Sequence, residues 1–197
     1  MIFSKSGSGY DMLLIGLGNY GEKYEGTRHN AGFMVADAFC EKHGATLKRL
    51  KCKALVCECR YEGRKILVAF PQTYMNASGS AVTELARFYK IPAEKMLVVF
   101  DDISLDVGNI RIRRNGSHGG HRGMRDITEM MNTEEIMRIK VGIGAKPHPD
   151  YDLADWVISK FRADEKENLK KGIDKAVNAI DEILTGTVEK AMNKFNS

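Results

Sequence analysis

The chain has 197 residues, 43% of them hydrophobic and 28% charged, with a formal net charge of +4. That length supports one domain with a real core and is somewhat short for two. The apolar fraction excludes a disordered chain, and no apolar run approaches the roughly 20 residues that a membrane-spanning helix needs.

Residues 1–11 hold a two-residue apolar patch and no signal-peptide core. They read as an N-terminal extension or tag remnant, and a single domain is expected over 12–197. Met12-Leu13-Leu14-Ile15, closed by Gly16, predicts a buried strand. A helix follows from Ala31 to His43, with Phe33, Ala36, Phe39 and Cys40 at helical spacing and Gly44 ending it. Ala54–Tyr61 and Arg64–Phe70 are rich in β-formers and joined across Glu62-Gly63, which predicts a hairpin. Ser80 to Lys90 puts Val82, Leu85, Ala86 and Tyr89 on one helical face and stops before Pro92. Met96–Phe100 is an apolar strand running into Asp101-Asp102. Asn109–Arg114 alternates Ile110 and Ile112 with Arg111 and Arg113, a half-buried strand with a basic face. Gly116–Gly123 is a glycine-rich loop entering a helix near Arg125–Met131, and Ile136–Gly144 reads as another strand. From Asp164 a long helix aligns Leu169, Ile173, Val177, Ile180 and Leu184 and ends at Gly186. Alternating strands and helices with one hairpin predict a single α/β domain, a mixed twisted β-sheet flanked by helices on both faces.

Cys40, Cys52, Cys57 and Cys59 form no CxxC pair and no histidine cluster accompanies them, so reduced thiols are expected rather than zinc. The basic residues are unevenly placed. No acidic residue occurs from Asn109 to Arg125, while Arg111, Arg113, Arg114, Arg122 and Arg125 do, and a second basic run spans Lys48 to Lys53. Charge runs are usually solvated surface, but two of them flanking a cleft suit a polyphosphate backbone.

Five segments carry possible chemistry. Gly16-Leu17-Gly18-Asn19-Tyr20-Gly21 fits GxGxxG, yet the helix that a dinucleotide site needs starts only after Asn30. His29 stands where a loop meets a helix N-terminus, whose dipole favours a neutral imidazole able to take a proton from water; a lone histidine there could equally be a cap. Asn76 follows a strand and precedes a helix, so it is either an N-cap or an amide facing a reacting carbonyl. Asp101-Asp102 ends a strand, as a carboxylate that orients a histidine, as a Mg²⁺ pair, or as an exposed turn. Gly116 to Gly123 lets backbone approach an anion, or is a turn with two solvent-facing histidines, His118 and His121.

In this order, Gly16-Leu17-Gly18-Asn19, Thr27-Arg28-His29-Asn30-Ala31-Gly32, Met75-Asn76-Ala77-Ser78-Gly79, the Asp101 strand end and Gly119-Gly120-His121 resemble the bacterial-type peptidyl-tRNA hydrolase family across nearly the whole chain after Asp11. The resemblance implies hydrolysis of the ester joining a peptide to tRNA in peptidyl-tRNA released prematurely from ribosomes, which recycles the tRNA. It implies His29 as general base, Asp101 as the group that holds it, and Asn19 as the reader of the peptide backbone. It implies Asn76 as a substrate contact beside the developing oxyanion, and Tyr24 and Tyr74 as contacts to the tRNA end. Arg111, Arg113 and Lys140 match basic contacts to tRNA phosphate. No metal or other cofactor is implied. The implied partner is peptidyl-tRNA, gripped at its 3′ end and acceptor arm, with no membrane and no obligate protein partner; a cytoplasmic monomer is the default. The chain departs from the family at Tyr20, usually Pro, and at Arg122, usually Asn at a substrate-contacting position. Arg122 can pair with a phosphate or carbonyl but cannot accept a hydrogen bond. The alternative is a non-catalytic RNA-binding protein on the same fold.

Overall fold

A computed structural model describes residues 9–196. The elements run in the order β1 (Met12–Gly16), α1 (Ala31–Lys42), β2 (Arg49–Lys51), β3 (Ala54–Tyr61), β4 (Arg64–Pro71), α2 (Ser78–Tyr89), β5 (Met96–Asp102), β6 (Ile110–Arg113), α3 (Arg122–Met131), β7 (Met137–Gly142), α4 (Leu153–Ile158), α5 (Lys166–Thr185) and α6 (Val188–Phe195). Among the described residues the strands form one seven-stranded sheet in the order β2-β3-β4-β1-β5-β7-β6. β4, β1, β5 and β7 pair in parallel; the β2–β3, β3–β4 and β6–β7 pairings are antiparallel. The mixed α/β sheet is as the sequence predicts.

β1 lies mid-sheet and is buried on both faces, which is why it reads as an unbroken apolar run. Met12 and Leu14 face the core layer shared with α1, α5 and α6; Leu13 and Ile15 face the layer shared with α2 and α3. β6 is an edge strand, so Ile110 and Ile112 are buried while Arg111 and Arg113 point away from them.

Packing begins ahead of Met12. Tyr10 is buried, its hydroxyl donates to Glu58 Oε1 at 2.6 Å, and the Asp11 amide donates to the Lys65 carbonyl at 2.8 Å. Residues 1–8, most of the expected extension, lie outside the described residues. Three elements were not legible in the sequence: β2 is a three-residue, mostly exposed edge strand, α4 has six residues, and α6 follows the glycine taken as the end of the last helix. Among the described residues no helix is long and apolar enough to cross a membrane.

Candidate active site

Gly16, Gly18 and Gly32 serve packing, while Gly21 answers to backbone conformation, with φ +101° and open space around it. A Cβ on Gly16 would lie 2.5 Å from the Gly32 carbonyl oxygen, one on Gly32 would lie 2.2 Å from the Val99 oxygen, and one on Gly18 would meet the Phe33 ring at 2.7 Å. Strand β1 and helix α1 therefore touch backbone to backbone, and this close approach, with the Gly21 backbone, accounts for the glycine pattern without a dinucleotide. It also places the start of α1 over the ends of β1 and β5.

His29 sits in a single 3₁₀ turn, Arg28–Asn30, that leads into α1. Its Nδ1 lies 2.8 Å from Asp101 Oδ1 and 3.0 Å from Oδ2, and both residues are buried. His121 reaches the same carboxylate, Nε2 to Oδ1 at 3.1 Å. Its Nδ1 accepts the Met124 amide at 3.1 Å as the N-cap of α3, so Nε2 must carry the proton it donates to Asp101. Burial works to raise the Asp101 carboxyl, but the His29 and His121 imidazoles overcome it and hold the group well below the usual carboxylate range. Asp101 is thus ionised, accepts Nδ1–H from His29, and leaves His29 Nε2 as the free nitrogen.

The amides flanking the histidine are arranged as precisely placed donors. Asn30 does not cap α1; its side chain accepts the Asn19 amide at 2.8 Å and donates to the Asn19 carbonyl at 3.0 Å, tying the β1 loop to the helix start. Asn19 Oδ1 accepts the Met75 amide at 2.9 Å. That fixes the orientation of the Asn19 amide and leaves its NH₂ group as the unused donor. Asn76 caps neither adjacent helix and is exposed.

These groups line one cavity of about 430 Å³, which Asn19, His29 and Asp101 share with Tyr24, Tyr74 and Asn76. Arg122, His118 and Lys140 also line it, as do Leu153, Val157 and Ile158 of α4. Arg122 is exposed and has no ion-pair partner among the described residues, so it presents a free cation at the start of α3.

The basic strand residues divide. Arg111 sits directly opposite Lys140 on β7, and Arg113 opposite Arg138. Arg111 and Arg113 make no ion pair among the described residues, whereas Lys140 bonds Asp102 Oδ2 at 2.9 Å and is mostly buried. Asp101 and Asp102 therefore serve different partners, histidines and lysine, and do not share a cation site. His29, Asp101 and His121 bring three ligand-type atoms within 4.8 Å, but those are the atoms that hydrogen-bond to one another. Arg138 spends its guanidinium on backbone carbonyls, those of Glu134 and Ile136 at 2.8 and 3.0 Å and those of Gly116 and Ser117, which pins the glycine-rich loop.

Three contributors escaped the sequence reading. His121 was given no role of its own, and of its two readings the solvent-facing one fails, since its side chain is 6% exposed; the signal was a potential N-cap three residues before an apolar Met124. Arg28 is fully buried, donating to the Ile143 carbonyl at 2.8 Å and to Glu165 Oε2 at 2.6 Å. Trp156, at 3.8 Å from its guanidinium, covers one side of it. With the Arg28 amide on the Ser159 carbonyl at 2.9 Å, this joint anchors α4 to the turn that carries His29. The cysteines are free thiols, with Cys40 and Cys57 sulfurs 3.3 Å apart in the core.

Comparison with known proteins identifies the family. The family model described as peptidyl-tRNA hydrolase matches residues 13–197. The chain is 46% identical to the peptidyl-tRNA hydrolase of Thermoanaerobacter sp. (strain X514) over 184 residues, covering 93% of this chain and 98% of that protein. It is 45% identical to that of Clostridium botulinum (strain Alaska E43 / Type E3), over 93% and 95% of the two chains. The crystal structure of peptidyl-tRNA hydrolase from Acinetobacter baumannii superposes with a TM-score of 0.90 at 34% identity, covering 97% of this chain and 98% of that one. A uridine phosphorylase from Vibrio fischeri shares the fold alone, with a TM-score of 0.52 at 10% identity, over 88% of this chain and 90% of that one. With the match running from Leu13 to the last residue, the chain belongs to the peptidyl-tRNA hydrolase family.

Proposed function

We propose that the chain carries out its family's reaction, hydrolysis of the peptide–tRNA ester, with His29 activating the water. The observation that carries this is the His29–Asp101 pair, whose engaged Nδ1 leaves Nε2 for a water in the cavity. Nε2 takes a proton as the water oxygen bonds to the ester carbonyl carbon. Asp101 holds the ring and stabilises the imidazolium that forms, and His121 holds Asp101. The Asn76 amide and the free NH₂ of Asn19 are the donors for the carbonyl oxygen, the second also meeting the peptide backbone beside it. As the tetrahedral intermediate collapses, the bond to the ribose 3′ oxygen breaks and that oxygen takes the proton from Nε2. The products are a peptide carboxylic acid, which loses its proton to solvent, and a tRNA with its terminal hydroxyl restored, so tRNA lost to premature release is recycled. An ester needs no stronger nucleophile than an activated water, and neither a serine nor a cysteine is required.

Tyr24 and Tyr74 hold the substrate as aromatic walls of the cavity, and Arg122 takes a phosphate or carbonyl at its rim. Arg111 and Arg113 meet tRNA phosphates, without reading sequence, as the acceptor arm lies across β6. Lys140, held by Asp102, contributes at the inner end of that path. The family's place in translation supports the cytoplasm.

The test is hydrolysis of an N-blocked aminoacyl-tRNA against its unblocked counterpart. Release from the blocked ester, with the unblocked ester far slower, is the expected result. Binding of both without release of either would favour the non-catalytic RNA-binding reading.

A further inference from the structure

Tyr20 and Tyr74 form an exposed aromatic pair at the cavity mouth. Their ring centroids are 5.2 Å apart with planes inclined by 32°, and the residues are 42% and 53% exposed. Two large rings left open side by side at a cavity give a substrate an apolar surface to pack on. Tyr74 lines the cavity and Tyr20 stands just outside it, immediately after Asn19. The pair thus continues the substrate cavity outward.

Its place in the sheet indicates which part of the substrate it meets. Tyr74 follows β4 and Tyr20 follows β1, while the cations Lys140, Arg111 and Arg113 lie on β7 and β6. In the strand order β4-β1-β5-β7-β6, the carboxylate that holds His29 is on β5, between the two groups. An ester has two arms, and they leave the reacting carbon in different directions. The polyanionic arm belongs with the cations on β7 and β6. The acyl arm then runs toward β1 and β4, past the Asn19 and Asn76 amides and onto the tyrosines.

We infer that Tyr20 and Tyr74 form a side-chain subsite for the peptide, taking a large apolar or aromatic residue next to the esterified one. This rests on the reading of Asn19 and His29 given above. It assigns Tyr74 to the peptide arm and not to the tRNA end. It also gives Tyr20, a residue at a turn position, a use in substrate selection. A ring or branched side chain packed on the Tyr20 face gains contact area and an aromatic pair interaction, a gain of about 2- to 10-fold in kcat/KM.

Two substrates on one tRNA test it, both N-blocked dipeptides esterified through glycine, one with phenylalanine and one with glycine as the preceding residue. The wild-type chain should prefer the phenylalanyl substrate by about 2- to 10-fold. Tyr20→Ala should reduce that preference toward unity, leave the diglycyl substrate unchanged within about twofold, and keep the wild-type melting temperature; Tyr20→Phe should retain the preference. A preference absent in the wild type, or intact in Tyr20→Ala, overturns the subsite. So does an equal loss on both substrates, which would place the rings on the nucleotide. Failure of the wild type to cleave either substrate would instead sink the hydrolase reading itself.

Discussion

The molecule contains two histidine–aspartate pairs of equal length. His29 meets Asp101 at 2.8 Å, and His43, at the other end of α1, meets Asp181 of α5 at 2.8 Å. Distance does not separate them; the surroundings do. His43 binds its aspartate through Nε2, and its ring lies between Phe39 and Tyr61, each with centroids 4.5 Å away. Asp181 is already matched by Lys42 Nζ at 2.7 Å, so its charge has a permanent cation. That pair is a joint between two helices. Asp101 is held by imidazoles instead, and His29 is engaged through Nδ1 with Nε2 at the cavity. The proposed base is the histidine whose aspartate has no other cation among the described residues and which lines the cavity.

The sharpest break of this comparison is removal of each imidazole. His29→Ala should lower the hydrolysis rate by about 10²–10⁴-fold with the fold retained. His43→Ala should keep the rate within about twofold while urea unfolding shows a loss of about 1–3 kcal/mol. Equal losses of activity in the two variants would erase the distinction. The carboxylates come next. Asp101→Asn should cost about a hundredfold or more in kcat, because an amide no longer selects the Nδ1–H form of His29. Asp181→Asn should appear in the melting temperature and leave kcat alone.

A pH profile sharpens the same contrast. The His29 and His121 imidazoles hold the Asp101 carboxyl below its ordinary 3.8. The sign follows: its contribution to stability is present above about pH 4 and is lost as pH falls through the lowered folded-state value. Asp101 therefore stays charged as pH falls below neutrality, and its own protonation should add nothing to the acid limb of log(kcat/KM) above about pH 4. A slope of two would implicate a second ionisation in the site. The smallest effect is expected at the edge strand. Arg113→Ala should raise KM for tRNA substrates and reduce the salt slope of binding by about one, with kcat unchanged. An unaltered salt slope would remove Arg113 from the phosphate path.

Much of the fold was legible because burial writes itself into local pattern. The unbroken apolar run of β1, the Ile–Arg alternation of β6 and the helical spacing of α1 and α5 each reflect one packing environment repeated along a segment. Short or exposed elements such as β2 and α4 carry too few buried residues for a period to show. For the site, Asn19, His29, Asn76 and Asp101 could be named, but not their geometry. Residue order cannot say that Asn19 spends its side-chain oxygen on Met75, that Lys140 is matched by Asp102, or that His121 braces Asp101.

By itself, then, the sequence determined the α/β layering, the family and the residues able to do acid–base chemistry, because side-chain type and apolar period are local properties. Only the tertiary structure decided which of His29 and His43 lines the cavity. His29 and Asp101 are 72 positions apart, His43 and Asp181 are 138 apart, and both close to the same distance. The difference between base and joint lies in what else each carboxylate touches and which ring nitrogen remains, and those are set by long-range packing.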